Sequence, residues 1–382
     1  MKTAPESYEN IYGELGISDD VNDLYQTYEE ASQCSYIGSS MVVPRYELRS
    51  ESVYESADGS ASRQLSQKSD TFFEQGSIYL EPPKNLSLLF NQMSDMRYRE
   101  IAVSAIERQE QIGSGQFGAV YKGLWHTSGM ESNPFKANKP LLVAIKTLHD
   151  SSTIELKLTF LQEAAIMGQF SHPNVLRLLG IVSLTEPFMI VTELMHIELL
   201  KFVVVLRKST LQRSQMYSLY LKLSREIASG MTYLSSKNFI HRDLAARNVL
   251  LAKDLTCRIS DFGLSRQLRD EGDYYTSKGG KIPLKWTAPE AIFYQRYSEK
   301  SDVWSFGMTL YEIWSLGEKP WPGYSNEDVL QAYANSDVMD RPTGCPEGIF
   351  SVMLECWQIN AEIRPSFQEI SSMLATSDES FC

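Results

Sequence analysis

The sequence predicts an α+β fold of two unequal lobes, a small antiparallel sheet followed by a larger helical body. Three observations predict it. From Ile106 the chain turns into alternating and β-branched runs, which read as strands. After Met195 the apolar residues fall at helical spacing instead. Ahead of both, residues 1 to about 105 are rich in Ser, Glu, Asp and Tyr and show no sustained period, the signature of a largely disordered segment.

The elements follow in order. Gly118-Ala119-Val120-Tyr121 and Leu141-Leu142-Val143-Ala144-Ile145 read as strands. Ile154 to Phe170 reads as a helix with Leu156, Phe160, Leu161, Ala164 and Met167 on one face, stopped by Pro173. Gln215 to Ser235 is the clearest helix beyond, with Met216, Tyr217, Leu223, Ile227 and Met231 spaced for burial. In the opening segment Gly59 and Pro82-Pro83 act as breakers, and Leu86-Ser87-Leu88-Leu89-Phe90 is apolar enough to dock on the folded body. The expected boundaries are a segment 1–105, a domain 106–376 and a short tail 377–382.

A chain of 382 residues has room for one large domain and a substantial extra segment. Its formal net charge is −12, and residues 1–70 hold thirteen Asp/Glu against five Lys/Arg, so the acidity is concentrated there. A nucleic-acid footprint would be basic, which excludes that class of partner. No apolar run approaches the roughly 20 residues of a membrane helix; the densest, Phe202 to Leu206, is far shorter. The first residues lack the apolar core of a signal peptide, and position 2 is Lys rather than the Gly that myristoylation needs. Five scattered cysteines without C-x-x-C spacing argue against a disulfide framework or a zinc site and for a reducing compartment.

The chemistry is carried by an ordered set of motifs. Ile112-Gly113-Ser114-Gly115-Gln116-Phe117-Gly118-Ala119-Val120 is a G-x-G-x-x-G-x-V loop whose glycines let backbone N–H groups approach phosphates. Alone it is equally a plain glycine hairpin or a dinucleotide-binding turn. Val143-Ala144-Ile145-Lys146 then puts a lysine on a strand, and Glu163 on the next helix is placed to pair with it and aim its ammonium at phosphates. His241-Arg242-Asp243 offers a carboxylate to take a hydroxyl proton. Asn248 and Asp261, in Asp261-Phe262-Gly263, offer oxygens to Mg²⁺. Together these residues describe phosphoryl transfer from ATP to a hydroxyl, which needs positioning and charge neutralisation more than covalent chemistry. Ala288-Pro289-Glu290 closes the segment, with Glu290 expected to form a structural ion pair with Arg364. A dinucleotide-binding fold gives the later motifs no role.

On these motifs, residues from about 106 to 376 resemble a protein kinase catalytic domain. The resemblance implies the two-lobed kinase fold. It also implies ATP as phosphoryl donor, held by Ile112 to Val120 with Ala144, Lys146, Glu193, Met195 and Leu250, and Mg²⁺ or alternatively Mn²⁺ on Asn248 and Asp261. Thr192 stands at the gatekeeper position, and Met167, Leu178, His241 and Phe262 match the hydrophobic spine. Ala245-Ala246-Arg247 after the catalytic aspartate is similar to tyrosine kinases, where the arginine supports the approach of a phenol. Ile282-Pro283-Leu284-Lys285-Trp286 resembles the platform those kinases place against the substrate ring.

Glu163 to Phe170 and Gly279 to Pro283 are similar to ephrin-receptor kinases, and Tyr98-Arg99-Glu100-Ile101 and Ile78-Tyr79-Leu80-Glu81-Pro82 resemble a receptor juxtamembrane region. The chain departs from the pattern after the hinge. There Met195-His196-Ile197-Glu198-Leu199-Leu200-Lys201 lacks the usual glycine turn, so an unusual mouth to the nucleotide site is expected. It departs again at Asn335 to Pro342, and no SAM-like segment follows residue 376.

The resemblance implies protein substrates carrying tyrosine. Tyr274 and Tyr275 lie between Asp261 and Ala288, where a phosphate would bring about −1.5 to −2 charges and pair with Arg242 or Arg266. Tyr8-Glu9-Asn10 resembles a docking site for adaptor SH2 domains once phosphorylated. Three readings stay open: the cytoplasmic portion of a receptor tyrosine kinase, lying under the plasma membrane through a span outside this chain; a free cytoplasmic tyrosine kinase; and a kinase-fold scaffold.

Overall fold

A computed structural model describes residues 99–115, 118–127, 140–148, 152–208, 211–263, 266–267, 275–276 and 283–376. The expected docking of Leu86 to Phe90, Tyr8 and Tyr274 lie outside the described residues.

The smaller lobe is built on β1 (Ile106–Gly115), β2 (Gly118–Trp125), β3 (Leu141–Thr147), helix α1 (Ile154–Met167), β4 (Leu178–Val182) and β5 (Met189–Glu193). The strands form one antiparallel sheet in the order β1-β2-β3-β5-β4. Thr153 caps α1 by accepting the Leu156 N–H, as a threonine before a helix does. The helix ends at Met167, and Gly168 closes it by donating its N–H to the Ala164 carbonyl. Pro173 therefore does not stop it, contrary to the sequence reading; the chain has already left the helix.

One face of the sheet packs on α1. The other carries Val143, Ile145, Val182, Met189 and Val191, covered by Ile101 and Trp125. Residues 99–101 thus pack on the folded body, ahead of β1. Glu100 bridges to Ile181 beside β4, and the Ile101 and Ile181 N–H groups donate to the carbonyls of Ile181 and Arg99. The Glu100 carboxylate accepts from the N–H and hydroxyl of Ser183, both at 2.8 Å. Gly180 permits this approach, because a Cβ there would lie 2.5 Å from the Arg99 carbonyl oxygen.

A hinge leads into β6 (Ile197–Glu198), α2 (Leu199–Val205), α3 (Arg213–Ser236) and β7 (Phe239–Ile240). After these come β8 (Val249–Leu251), β9 (Cys257–Ile259), β10 (Arg266–Gln267), β11 (Tyr275–Thr276), α4 (Pro289–Tyr294) and β12 (Arg296–Tyr297). The larger lobe closes with α5 (Glu299–Trp314), α6 (Asn326–Asn335), α7 (Glu347–Cys356) and α8 (Phe367–Thr376). The residues after the hinge, which lack the usual glycine turn, form β6, paired antiparallel with β8, and run directly into α2. Helix α5 is the axis of this lobe. It starts at a Ser298/Ser301 capping box and is buried on all sides from Ser301 to Trp314, polar residues included. Cys257, Cys345 and Cys356 are buried and free. Among the described residues no helix is long and apolar enough to cross a membrane.

Candidate active site

The site lies on elements from both lobes. On the smaller one, β1 and β2 form a hairpin in which Gly113 faces Val120 and Gly115 faces Gly118; Gln116 and Phe117 at its tip lie outside the described residues. Gly118 must lack a side chain, since a Cβ would fall 1.8 Å from the Thr147 carbonyl oxygen. The register sets Val120 opposite Lys146, which brings the lysine beneath the hairpin. Its Nζ donates to both oxygens of Glu163, each at 2.7 Å, so the predicted pair is present. Burial raises the Glu163 carboxyl above the usual range, Lys146 draws it back, and the charge of Asp261 adds a smaller upward push.

The loop after β7 carries the hydroxyl side. His241 Nδ1 accepts the Asp243 N–H at 3.3 Å, which leaves the ring proton on Nε2 to be donated to the Ser260 carbonyl at 3.0 Å. Asp243 is held from two directions. Arg247 donates to Oδ1, and Asn248 Nδ2 donates to Oδ2 at 2.9 Å. Burial pushes the Asp243 carboxyl up against the pull of Arg247. Asn248 Nδ2 donates to the Asp243 carbonyl as well, at 2.6 Å, so the amide oxygen is the remaining polar atom of that side chain.

Asp261 sits in the left-handed region at φ +61° and is exposed, while the next residue, Phe262, is 1% exposed. Phe262 packs between Phe170 and His241, with ring centroids 5.2 and 5.5 Å away. Met167 belongs to the same apolar core as Phe262, and Leu178 packs against that core. Asn248 and Asp261 fit a hard cation: both offer oxygen, and Mg²⁺ takes one or two protein oxygens together with phosphates and water.

Beside the hinge, Thr192 is buried opposite Ala144, and Met195 and Leu250 pack half-buried against the core. The Glu193 carboxylate accepts from Arg258 Nε at 3.0 Å and the Arg177 N–H at 2.9 Å, so what this hinge residue has to offer a nucleotide is its backbone.

Sequence reasoning missed two buried acids on α5. Asp302 accepts the His241 N–H at 2.6 Å and the Arg242 N–H at 2.8 Å, and so holds Arg242 at φ +71°. Burial raises this carboxyl to about 6. Glu312 Oε2 accepts the Ala246 N–H at 2.8 Å and the Trp286 indole N–H at 3.0 Å. The signal was present, since acids in a helix without a charged, solvated face must find internal donors.

Beyond Pro283, Leu284–Trp286 forms a short 3-10 turn. There Lys285 donates to the carbonyls of Trp321 and Tyr324, and burial lowers it to about 8. The Arg247 guanidinium lies over the Trp286 ring, 4.6 Å from its centre. Upstream, β11 pairs with β12, setting the backbone of Tyr275 opposite Tyr297, whose ring lies 4.0 Å beneath the Arg242 guanidinium.

A cation beneath a glycine hairpin on one lobe and a restrained carboxylate on the other are the parts a phosphotransferase needs. Residues 106–374 match the family model for protein tyrosine and serine/threonine kinases. The chain belongs to that family. It is similar to ephrin type-A receptor 5 of Gallus gallus, 43% identical over 277 residues that make up 72% of this chain and 26% of the receptor. It is also 43% identical over 279 residues to ephrin type-B receptor 1 of Gallus gallus, and 42% identical over 279 residues to ephrin type-B receptor 3 of Xenopus laevis. In each of these the match takes in 72% of this chain and 27% of the relative. The chain thus spans about a quarter of the length of these curated relatives.

Proposed function

We propose that this chain is a protein-tyrosine kinase that transfers the γ-phosphoryl group of ATP to tyrosine hydroxyls of proteins, its own among them, as the cytoplasmic portion of a receptor under the plasma membrane. The observation that carries the tyrosine reading is the seat of Arg247, bonded to Asp243 and stacked on Trp286 just past Pro283. A phenol reaches farther than a seryl hydroxyl, and this placement supports the deeper approach.

In this reading Asp243 orients the phenol and takes its proton as the oxygen–phosphorus bond forms and the bond to the departing ADP breaks. Lys146, aimed by Glu163, holds the phosphates beneath the glycine hairpin formed by Ile112 to Val120. Mg²⁺, held by Asn248 and Asp261, would offset charge on the phosphates. Phosphate on Tyr275 or Tyr274 would gain charge-assisted bonds, and the pairing of the Tyr275 backbone with Tyr297, whose ring carries the Arg242 guanidinium, supports Arg242 as a partner. Tyr8, once phosphorylated, would serve SH2-domain adaptors.

The test is an assay with ATP, Mg²⁺ and a tyrosine-containing copolymer against a serine/threonine control. Tyrosine alone should be phosphorylated. Asp243→Asn should lower turnover by at least about 100-fold while nucleotide affinity stays within about threefold. Turnover within tenfold of the parent would remove Asp243 from its role.

A further inference from the structure

Glu312 is 1% exposed, on a helix whose other inward residues are mostly apolar. Its two donors come from parts of the chain that are distant in sequence. Ala246 belongs to the loop carrying Asp243 and Arg247; Trp286 belongs to the platform beyond Pro283. Trp286 is pinned a second time, because its carbonyl accepts the Ser305 hydroxyl at 2.8 Å. With its indole N–H fixed by Glu312, the ring cannot rotate, and its face carries the Arg247 guanidinium. The backbone beside Arg247 is fixed by the same oxygen, and Arg247 reaches Asp243.

The contacts therefore close a circuit: Glu312 to Trp286, Trp286 to Arg247, and back through Ala246 to Glu312. An apolar residue would fill the space without the cost of burying a charge. A carboxylate adds two charge-assisted bonds that hold two segments at one distance. We propose that Glu312 is a positioning residue: through one oxygen it sets the catalytic loop and the substrate platform in register, and so aims Arg247 at Asp243 and at the incoming phenol. Nucleotide binding is left to other groups. The inference rests on the tyrosine-directed reading above and names a residue on which that specificity depends.

The experiment uses the full chain with a tyrosine peptide, varying peptide and ATP separately. Glu312→Leu removes the shared acceptor and should lower kcat/KM for the peptide on the order of 100-fold, with KM for ATP within about twofold. Trp286→Phe keeps the acid and the ring but deletes the indole donor, and should cost about tenfold. Glu312→Gln keeps an acceptor oxygen and should recover to within about threefold of the parent. Adding Trp286→Phe to Glu312→Leu should cost little more, since both break one circuit.

If Glu312→Leu does not fold, Trp286→Phe and Glu312→Gln carry the test by the same split between peptide and ATP. Equal losses toward peptide and ATP, no recovery in Glu312→Gln, or full additivity of the two lesions would overturn the proposal. A parent chain that does not phosphorylate tyrosine would overturn the function itself. A tyrosine-active parent with unaffected variants would overturn only the role of Glu312.

Discussion

Two ion pairs, one in each lobe, use the same chemistry differently. Arg364 is wholly buried. It donates to both oxygens of Glu290, at 2.7 and 2.8 Å, and to the carbonyls of Gln358 and Lys300 at 2.7 and 2.8 Å. Lys146 keeps 27% of its side chain exposed and joins a strand to a helix through Glu163. Arginine's planar fork suits a saturated staple, whereas the compact ammonium of lysine is a point charge that can also face a phosphate. The difference shows how burial assigns one pair to stability and leaves the other for a ligand.

Removing the staple should have the largest effect. Arg364→Met leaves Glu290 and three backbone carbonyls, those of Gln358, Lys300 and Ile359, without this donor, and the expected loss is about 3–5 kcal/mol. Denaturant unfolding measures it. A loss under about 1 kcal/mol would mean that the pair in the larger lobe is no more structural than the one in the smaller.

An acid with no cation bonded to it sharpens the contrast. Burial raises the Glu312 carboxyl to about 7 from an ordinary 4.5, while the N–H groups of Ala246 and Trp286 draw it back. A folded-state pKa above the unfolded one means that the native state binds the extra proton. This contribution to stability is therefore full below about 4.5 and lost as pH rises through about 7. The parent should lose on the order of 3 kcal/mol relative to Glu312→Gln across that window. Paired melts from pH 5 to pH 8 read the difference directly, and a flat difference would show that Glu312 titrates as an ordinary carboxylate.

These cases also mark what can be read from the sequence. Lys146, Glu163, Asp243, Asn248 and Asp261 are legible because phosphoryl transfer prescribes residue types in a fixed order, and the structure brings them together. The Glu290–Arg364 pair is legible for the same reason of pattern. Asp302 and Glu312 are harder, because a local window does not separate a solvated acid on a helix from a buried one. Only the apolar surroundings on every side of α5 do so. Residues 99–101 are harder still. Their order comes from the edge of β4 and the space left at Gly180, a partnership across some eighty residues that local periodicity cannot carry. At Glu193 the motif marks the position, and the structure adds what the side chain does there, which is to hold Arg258.

The smallest stability effect is expected at the pair facing the ligand. Lys146→Met leaves Glu163 buried without its cation, but a carboxyl already raised by burial can take a proton rather than remain an uncompensated charge. The loss at neutral pH should therefore be about 1 kcal/mol, well short of Arg364→Met, even though phosphoryl transfer falls by two or more orders of magnitude (about 100-fold or beyond). The sign with pH follows. Without Lys146 the folded pKa of Glu163 moves further up, so the variant's deficit is greatest above that pKa and shrinks as pH falls through it. In Lys146→Met/Glu163→Gln the deficit should no longer depend on pH, because the titrating group is gone. A double-mutant cycle at two pH values isolates the coupling. A deficit that grew on acidification, or one as large as that of Arg364→Met, would make the Lys146 pair a staple as well and end the distinction between the lobes.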